Sequence, residues 1–169
     1  MVMANGKWAL RTGWAIVLPA FLAESWHCQN AGGRKKISLP DGTEVTIKAN
    51  TSVRLSERFG KKDREVWLDG EALFEVAPDP AKPVLVHTKY LRIDVLGTRF
   101  RVDAYPDKAG EEVDLLSGSL KVSKSYHSES DNEPELLHAG EMLMINRDID
   151  LMEKEKMDGT EMKEWDAGK

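Results

Sequence analysis

VWLDGEALFEVAPDPAKPVLVHTKYLRIDVLGTRFRVDAY, residues 66–105, is the stretch on which the fold turns. It holds three strand-like runs, Val66 to Val76, Val84 to His87 and Tyr90 to Val102, set between glycines and prolines. In the third run Leu91, Ile93 and Val95 alternate with Arg92 and Asp94, then Phe100 and Val102 with Arg99 and Arg101. A period of two puts successive side chains on opposite faces of a pleated strand, so one face is apolar and the other wet. The Val, Ile, Trp, Phe and Tyr that dominate here fit such a surface. The stretch reads as the core of an all-β domain. No catalytic constellation stands out in it, which points to a binding or scaffolding part.

The same unit recurs along the chain. Gly42 is followed by TEVTI, Gly70 by EALFEV, Gly97 by TRFRV, Gly118 by SLKV and Gly140 by EMLMI. Each is a glycine at a turn or bulge, then an apolar-rich strand. The spacings of 28, 27, 21 and 22 residues are too irregular for a strict repeat. They suit short stacked strands, arranged as a two-sheet sandwich or a solenoid-like coil. Alternation assigns Val45, Ile47, Trp67, Phe74, Val76, Ile93, Val95, Phe100, Val102, Val113, Leu115, Leu120 and Val122 to the core.

Around this body the chain changes character. Residues 1–7 are a short flank, and Trp8 to Trp26 form the one strongly apolar block. Eighteen steps at about 1.5 Å span roughly 27 Å, close to the hydrocarbon thickness of a bilayer. Trp8 and Trp26 would sit at the two interfaces. A transmembrane helix or signal-anchor over 8–26 is the first reading. A cleaved signal peptide ending at Ala23-Glu24-Ser25, or a buried helix, are the alternatives. Residues 27–36 read as a flexible basic linker, 37–146 as the β domain, and 147–169 as an acidic tail, partly helical or disordered.

Charge and cysteine content narrow the function classes. The net charge is −5, distributed as +4 over 1–36, −1 over 37–126 and −8 over 127–169. The acidic tail argues against a nucleic-acid partner, because phosphate would be repelled there. Cys28 is the one cysteine, so no intrachain disulfide forms and the fold rests on its apolar core.

The candidate sites are sparse. His27 and Cys28 are adjacent, which is not metal-ligand spacing, while His87, His127 and His138 stand apart. HAGEMLMI from His138 resembles a cupin turn but lacks an HxH pair. Leu116-Ser117-Gly118-Ser119 is not a nucleophile elbow. Asp94 and Asp103 could pair for acid–base work if neighbouring strands carried them, although solvated outward positions fit their alternation better. SERFGKKDR, residues 56–64, reads as a solvated loop, with an anion site at Arg58, Lys61, Lys62 and Arg64 as the alternative. No catalytic, cofactor-binding or metal residues are assigned.

Several motifs together resemble the FecR-type domain, most closely that of FecR family anti-sigma factors of Bacteroidetes. They are Pro40-Asp41-Gly42, Asp69-Gly70-Glu71 to Phe74-Glu75-Val76, Leu96-Gly97-Thr98 with Phe100 and Val102, Gly118, and Gly140-Glu141. The resemblance covers about residues 36–146. It implies a regulator that crosses the inner membrane once, through 8–26, with its β domain in the periplasm. The implied partner is the signalling domain of a TonB-dependent outer-membrane receptor, in iron or glycan uptake. An extracytoplasmic-function sigma factor would be a partner only with an N-terminal cytoplasmic domain. Seven residues before Trp8 imply a chain shortened there, and Trp165-Asp166-Ala167-Gly168 resembles the opening of a shortened C-terminal domain. An envelope glycan-binding or scaffolding module is the alternative from another class, and a degenerate barrel enzyme a third.

Overall fold

The structure, a computed structural model, describes residues 27–129 and 131–158. The apolar block of 8–26 and the Trp165 motif lie outside them. Among the described residues every regular element is a strand, and no helix is long and apolar enough to cross a membrane. In chain order the strands are β1 (His27–Asn30), β2 (Lys35–Ser38), β3 (Glu44–Ile47), β4 (Thr51–Leu55), β5 (Glu65–Glu75), β6 (Val84–His87) and β7 (Leu91–Val95). There follow β8 (Arg99–Ala104), β9 (Gly110–Ser117), β10 (Ser119–Lys124), β11 (Glu135–His138), β12 (Glu141–Asn146) and β13 (Leu151–Lys156).

The strands form one continuous sheet folded over on itself, and β5 is the corner. Its first half, through Asp69, pairs with β4 and β6; its second half, from Gly70, pairs with β8 and β3. One layer therefore runs β1-β4-β5-β6-β7-β10-β11 and the other β2-β3-β5-β8-β9-β12-β13. At the far side β11 returns against β9 and β12, and Gly140 N–H donates to Leu115 C=O at 2.8 Å, which nearly closes a barrel. Pairs such as β7–β10 and β5–β8 join distant segments, so the solenoid-like alternative does not describe this chain.

Gly70 makes the corner possible. Its φ of 115° is closed to residues with a Cβ. Thr51 presses against it, with Oγ1 accepting from Glu71 N–H at 3.0 Å and donating to Glu71 C=O at 3.2 Å. The hydroxyl thus stands in for ladder bonds at the point where the strand leaves one layer for the other. The sequence pattern predicts a turn or bulge at Gly70. It lies within a strand, because an eleven-residue strand shared by two layers must bend somewhere along its length.

The core lies between the layers. Phe74 stacks on Phe100 with ring centroids 5.1 Å apart, and Ile93, Leu120 and Leu137 meet Val45, Val102 and Leu143 from the opposite layer. Every core position expected from alternation is buried except Trp67, which is half-buried on the outer face. A buried carboxylate also ties the layers together at one end. Glu111 of β9 meets the β6–β7 turn, where Thr88 Oγ1 bonds to its Oε2 and Tyr90 N–H donates to its Oε1 at 3.1 Å. Burial pushes the Glu111 carboxyl up from its usual value, and the Thr88 hydroxyl and the backbone amides of Tyr90 and Lys89 offset only part of that.

As pH rises past 4.5 the unfolded carboxyl releases its proton before the folded one does, so stability falls until the raised folded pKa is passed. Glu111→Gln, whose amide can donate to Thr88 Oγ1 as a protonated carboxyl would, should lessen that fall in pH-dependent denaturant melts. Glu111→Ala should cost about 1–3 kcal/mol at neutral pH, by stranding the turn's donors.

Two boundaries differ from the sequence reading. Residues 27–36 are no free linker: they form β1, a turn and the start of β2. Cys28 and Asn30 point inward, and Asn30 Nδ2 donates to the carbonyls of Gly33 and Lys48 at 2.8 and 2.9 Å. One inward-facing residue is polar, so alternation was hidden. Residues 151–156 are likewise a strand rather than a helical or disordered tail, because pairing with β12 needs few apolar side chains. Met152 alone of them packs against the core.

Candidate interaction surface

The residues singled out for chemistry do not converge. Asp94 lies on β7 in one layer and Asp103 on β8 in the other, so they are not neighbours. Asp94 is held by Arg92 Nη2 at 3.2 Å, and Asp103 by Lys108 Nζ at 2.7 Å. Cys28 points inward, while the adjacent His27 meets Ser52 Oγ at 2.9 Å on the exposed side. His138 caps the β11–β12 turn, its backbone N–H donating to Glu141 Oε2 at 2.8 Å. Ser117, Gly118 and Ser119 form a link between two strands, with none of the strand-to-helix geometry a nucleophile elbow needs. Among the described residues no group of three or more His, Cys, Asp or Glu could hold a metal ion.

The 56–64 segment divides. Lys61 and Lys62 are exposed at the tip, as a solvated loop predicts. Arg64 is not part of that loop: it is 3% exposed and pairs with Asp41 at 2.9 Å. An anion site of four converging basic groups is therefore absent.

Each outer sheet face carries its own pattern. On the β4–β7 layer, strand register aligns Arg54, Trp67, His87 and Arg92 in one row. His87 stacks on Trp67 at 5.2 Å, and the Arg54 guanidinium lies 5.0 Å from the same ring. Trp67 is thus flanked on both sides by its own neighbours, which works against stacking on a sugar. Sequence reasoning treated His87 singly and Trp67 as core; only the strand order shows that they share a row.

On the other layer Arg101 of β8 is the centre of an ionic cluster. Its Nε donates to Glu71 Oε1 at 2.8 Å, its Nη1 to Asp114 Oδ2 at 2.5 Å and also to Glu112, while Lys48 Nζ approaches Glu71 at 2.8 Å. Burial opposes the guanidinium charge, but the bonds and charges of Glu71, Asp114 and Glu112 outweigh it and hold the Arg101 pKa above its ordinary value. The cluster is a staple across β5, β8 and β9, with its acids already engaged. Beside it opens a cavity of about 340 Å³ lined by Asp103, Glu112, Met144, Ile149, Leu151 and Glu153. Lys108, Glu111 and Asn146 line it too; Lys108 pairs with Asp103, Arg101 holds Glu112, and Glu111 is engaged by Thr88 and Tyr90. What the surface offers is apolar contact, acidic charge and strand edges, the materials of protein recognition.

Comparison with known proteins agrees with the fold. The FecR protein family matches residues 29–121. Two crystal structures of a candidate anti-sigma factor from Parabacteroides distasonis ATCC 8503, at 2.50 and 1.65 Å resolution, superimpose on the chain with TM-scores of 0.75 and 0.74. Sequence identity is 29% in both, and the match covers 86% and 85% of this chain. This chain spans 66% and 65% of the length of those two, less than two thirds. No curated protein matches it.

Proposed function

This chain belongs to the FecR family, and from that premise we propose that it is the β module of a signalling regulator that works by protein–protein contact. The likeness at 29% identity and a TM-score of 0.75 to a candidate anti-sigma factor is the observation that carries the reading. The likeness supports a regulatory role for this chain.

The proposal in full is a periplasmic module, anchored in the inner membrane through residues 8–26. It receives its signal from the signalling domain of a TonB-dependent outer-membrane receptor, in regulation of iron or glycan uptake. A sigma factor is the downstream partner where a cytoplasmic domain accompanies the module. Supporting this are the apolar block directly before β1 and the strand edges available for main-chain pairing. The glycan-binding alternative is weakened by Trp67, whose ring is flanked by His87 and Arg54.

The test is a titration of the full chain, in detergent micelles, against the signalling domain of a TonB-dependent receptor from the same organism. Saturable binding at micromolar concentration is the expected result. A flat titration with a folded chain, together with hits on a glycan array, would replace this reading with the alternative.

A further inference from the structure

Three of the five exposed large apolar side chains among the described residues stand together: Met144, Ile149 and Leu151, at 36%, 67% and 40% exposure. All three line the 340 Å³ cavity beside β13. Solvated apolar groups gathered in this way mark a contact surface more often than chance placement does. Strand register extends the surface along the chain. Leu151, Glu153 and Glu155 lie opposite Asn146, Met144 and Met142 of β12, so all six share the outer face. Glu153 and Glu155 have no basic partner among the described residues, whereas Asp103 and Glu112 are held by Lys108 and Arg101. β13 pairs with β12 alone among the described strands, so its other edge presents main-chain donors and acceptors in a row.

This edge selects its partner by charge. A strand added to β13 sets its outward side chains directly opposite Leu151, Glu153 and Glu155, where apolar and opposite-charge pairs stabilise and like charges repel. A second copy of this chain, joined edge to edge about a two-fold axis, would set Glu153 against Glu153 or Glu155. The chemistry therefore disfavours self-association and calls for basic residues.

We propose that the β13 edge and its neighbouring cavity form the docking site for an extended segment of a partner protein. That segment places an apolar side chain against Leu151 and the cavity, and Lys or Arg at the second and fourth positions onward from it, facing Glu153 and Glu155. This inference rests on the reading of the chain as a protein-binding module, and it adds the site and the partner's chemistry.

A charge-swap titration of the full chain tests it. The probes are a fluorescent peptide Leu-Thr-Lys-Thr-Lys-Thr and its counterpart with Glu in place of Lys. The wild-type chain should bind the Lys peptide and not the Glu peptide. The double variant Glu153→Lys, Glu155→Lys, confirmed as folded by its thermal melt, should lose at least about tenfold in affinity for the Lys peptide. The same variant should gain binding to the Glu peptide. Equal binding of both peptides, no binding of either, or no reversal on the swap overturns the proposal. A chain ending at Asp158 that binds where the full chain does not overturns it too, since residues 159–169 would then be the occupant. Run in parallel, the receptor's signalling domain separates the two levels. Binding unaffected by the charge swap overturns this docking site and leaves the protein-binding reading standing; absence of receptor binding with intact charge-selective peptide binding overturns the receptor as the partner and leaves the docking site standing.

Discussion

Gly70→Val is expected to cost about 2–5 kcal/mol, combining left-handed backbone strain of about 1–2 kcal/mol with overpacking of about 1–3 kcal/mol. At its upper end that equals the whole stability of a marginal domain. The strain arises because φ at Gly70 is 115°, where a β-branched residue is least tolerated. The overpacking arises because a Cβ built there meets Thr51 Oγ1 at 2.5 Å and Thr51 Cα at 2.7 Å. The Cα is backbone, so no rotamer change relieves it, and moving the strand breaks both bonds between Thr51 Oγ1 and Glu71. Gly60→Val is the internal control. Gly60 also has a positive φ, 77°, but an added Cβ there has nothing within 4 Å. Its cost should be the strain alone. Chemical denaturation of the two variants side by side measures the difference. Equal melting of Gly70→Val and wild type would mean that β5 does not turn its corner at Gly70.

The contrast between these two glycines shows what could be read from the sequence. Alternation around Ile93, Phe100 and Val102 marks central strands and core positions that are buried save for Trp67, because burial on one face leaves a period-two trace; Val53, Leu68, Val86, Leu137 and Leu143 join that core without having been named. It could not reveal that β5 belongs to two layers, since an inward face stays apolar on either side of a bend. Trp67 departs from the pattern for a related reason. It occupies an outward position, and the alternation of Val66, Leu68 and Asp69 around it leaves its direction ambiguous until the partner strands are known. The edge strands were hardest. β1 and β13 each bury little apolar surface and owe their place to main-chain pairing, which leaves almost no sequence signal.

Candidate sites were legible only as residues to set aside. Each of Asp94, Asp103, His87 and His138 proved to have a local partner, as outward polar groups on a sheet usually do. The β13 surface escaped notice because its parts are unremarkable singly. A methionine, an isoleucine and a leucine amid Glu and Lys carry no motif. Register alone brings Leu151, Glu153 and Glu155 beside Met142 and Met144 on one face.

Arg64→Met should cost about 3–5 kcal/mol, the range for removing one partner of a buried ion pair. A solvated loop arginine would cost within about 0.5 kcal/mol, so the measurement discriminates sharply. Arg64 is enclosed where three segments meet. Its Nε donates to Lys82 C=O at 2.7 Å, and its Nη1 to Asp41 Oδ2 at 2.9 Å and to Ala77 C=O at 3.0 Å. Asp41 in turn accepts from Thr43 N–H at 3.0 Å and Thr43 Oγ1 at 2.8 Å, and Thr43 Oγ1 accepts from Ala77 N–H at 3.2 Å. The β2–β3 turn, the start of β5 and the 77–83 loop are thus locked through one guanidinium. Methionine fills much of the same space yet leaves the Asp41 carboxylate without its countercharge and the carbonyls of Lys82 and Ala77 without the arginine's donors. Arg64→Lys should recover little, because an ammonium cannot reproduce the planar fork that serves Lys82 and Asp41 together. Asp41→Asn combined with Arg64→Met should cost less than the sum of the single changes, by about 1–3 kcal/mol, since removing both charges leaves neither buried alone. Strict additivity in that double-mutant cycle would show that the pair does not act as a unit.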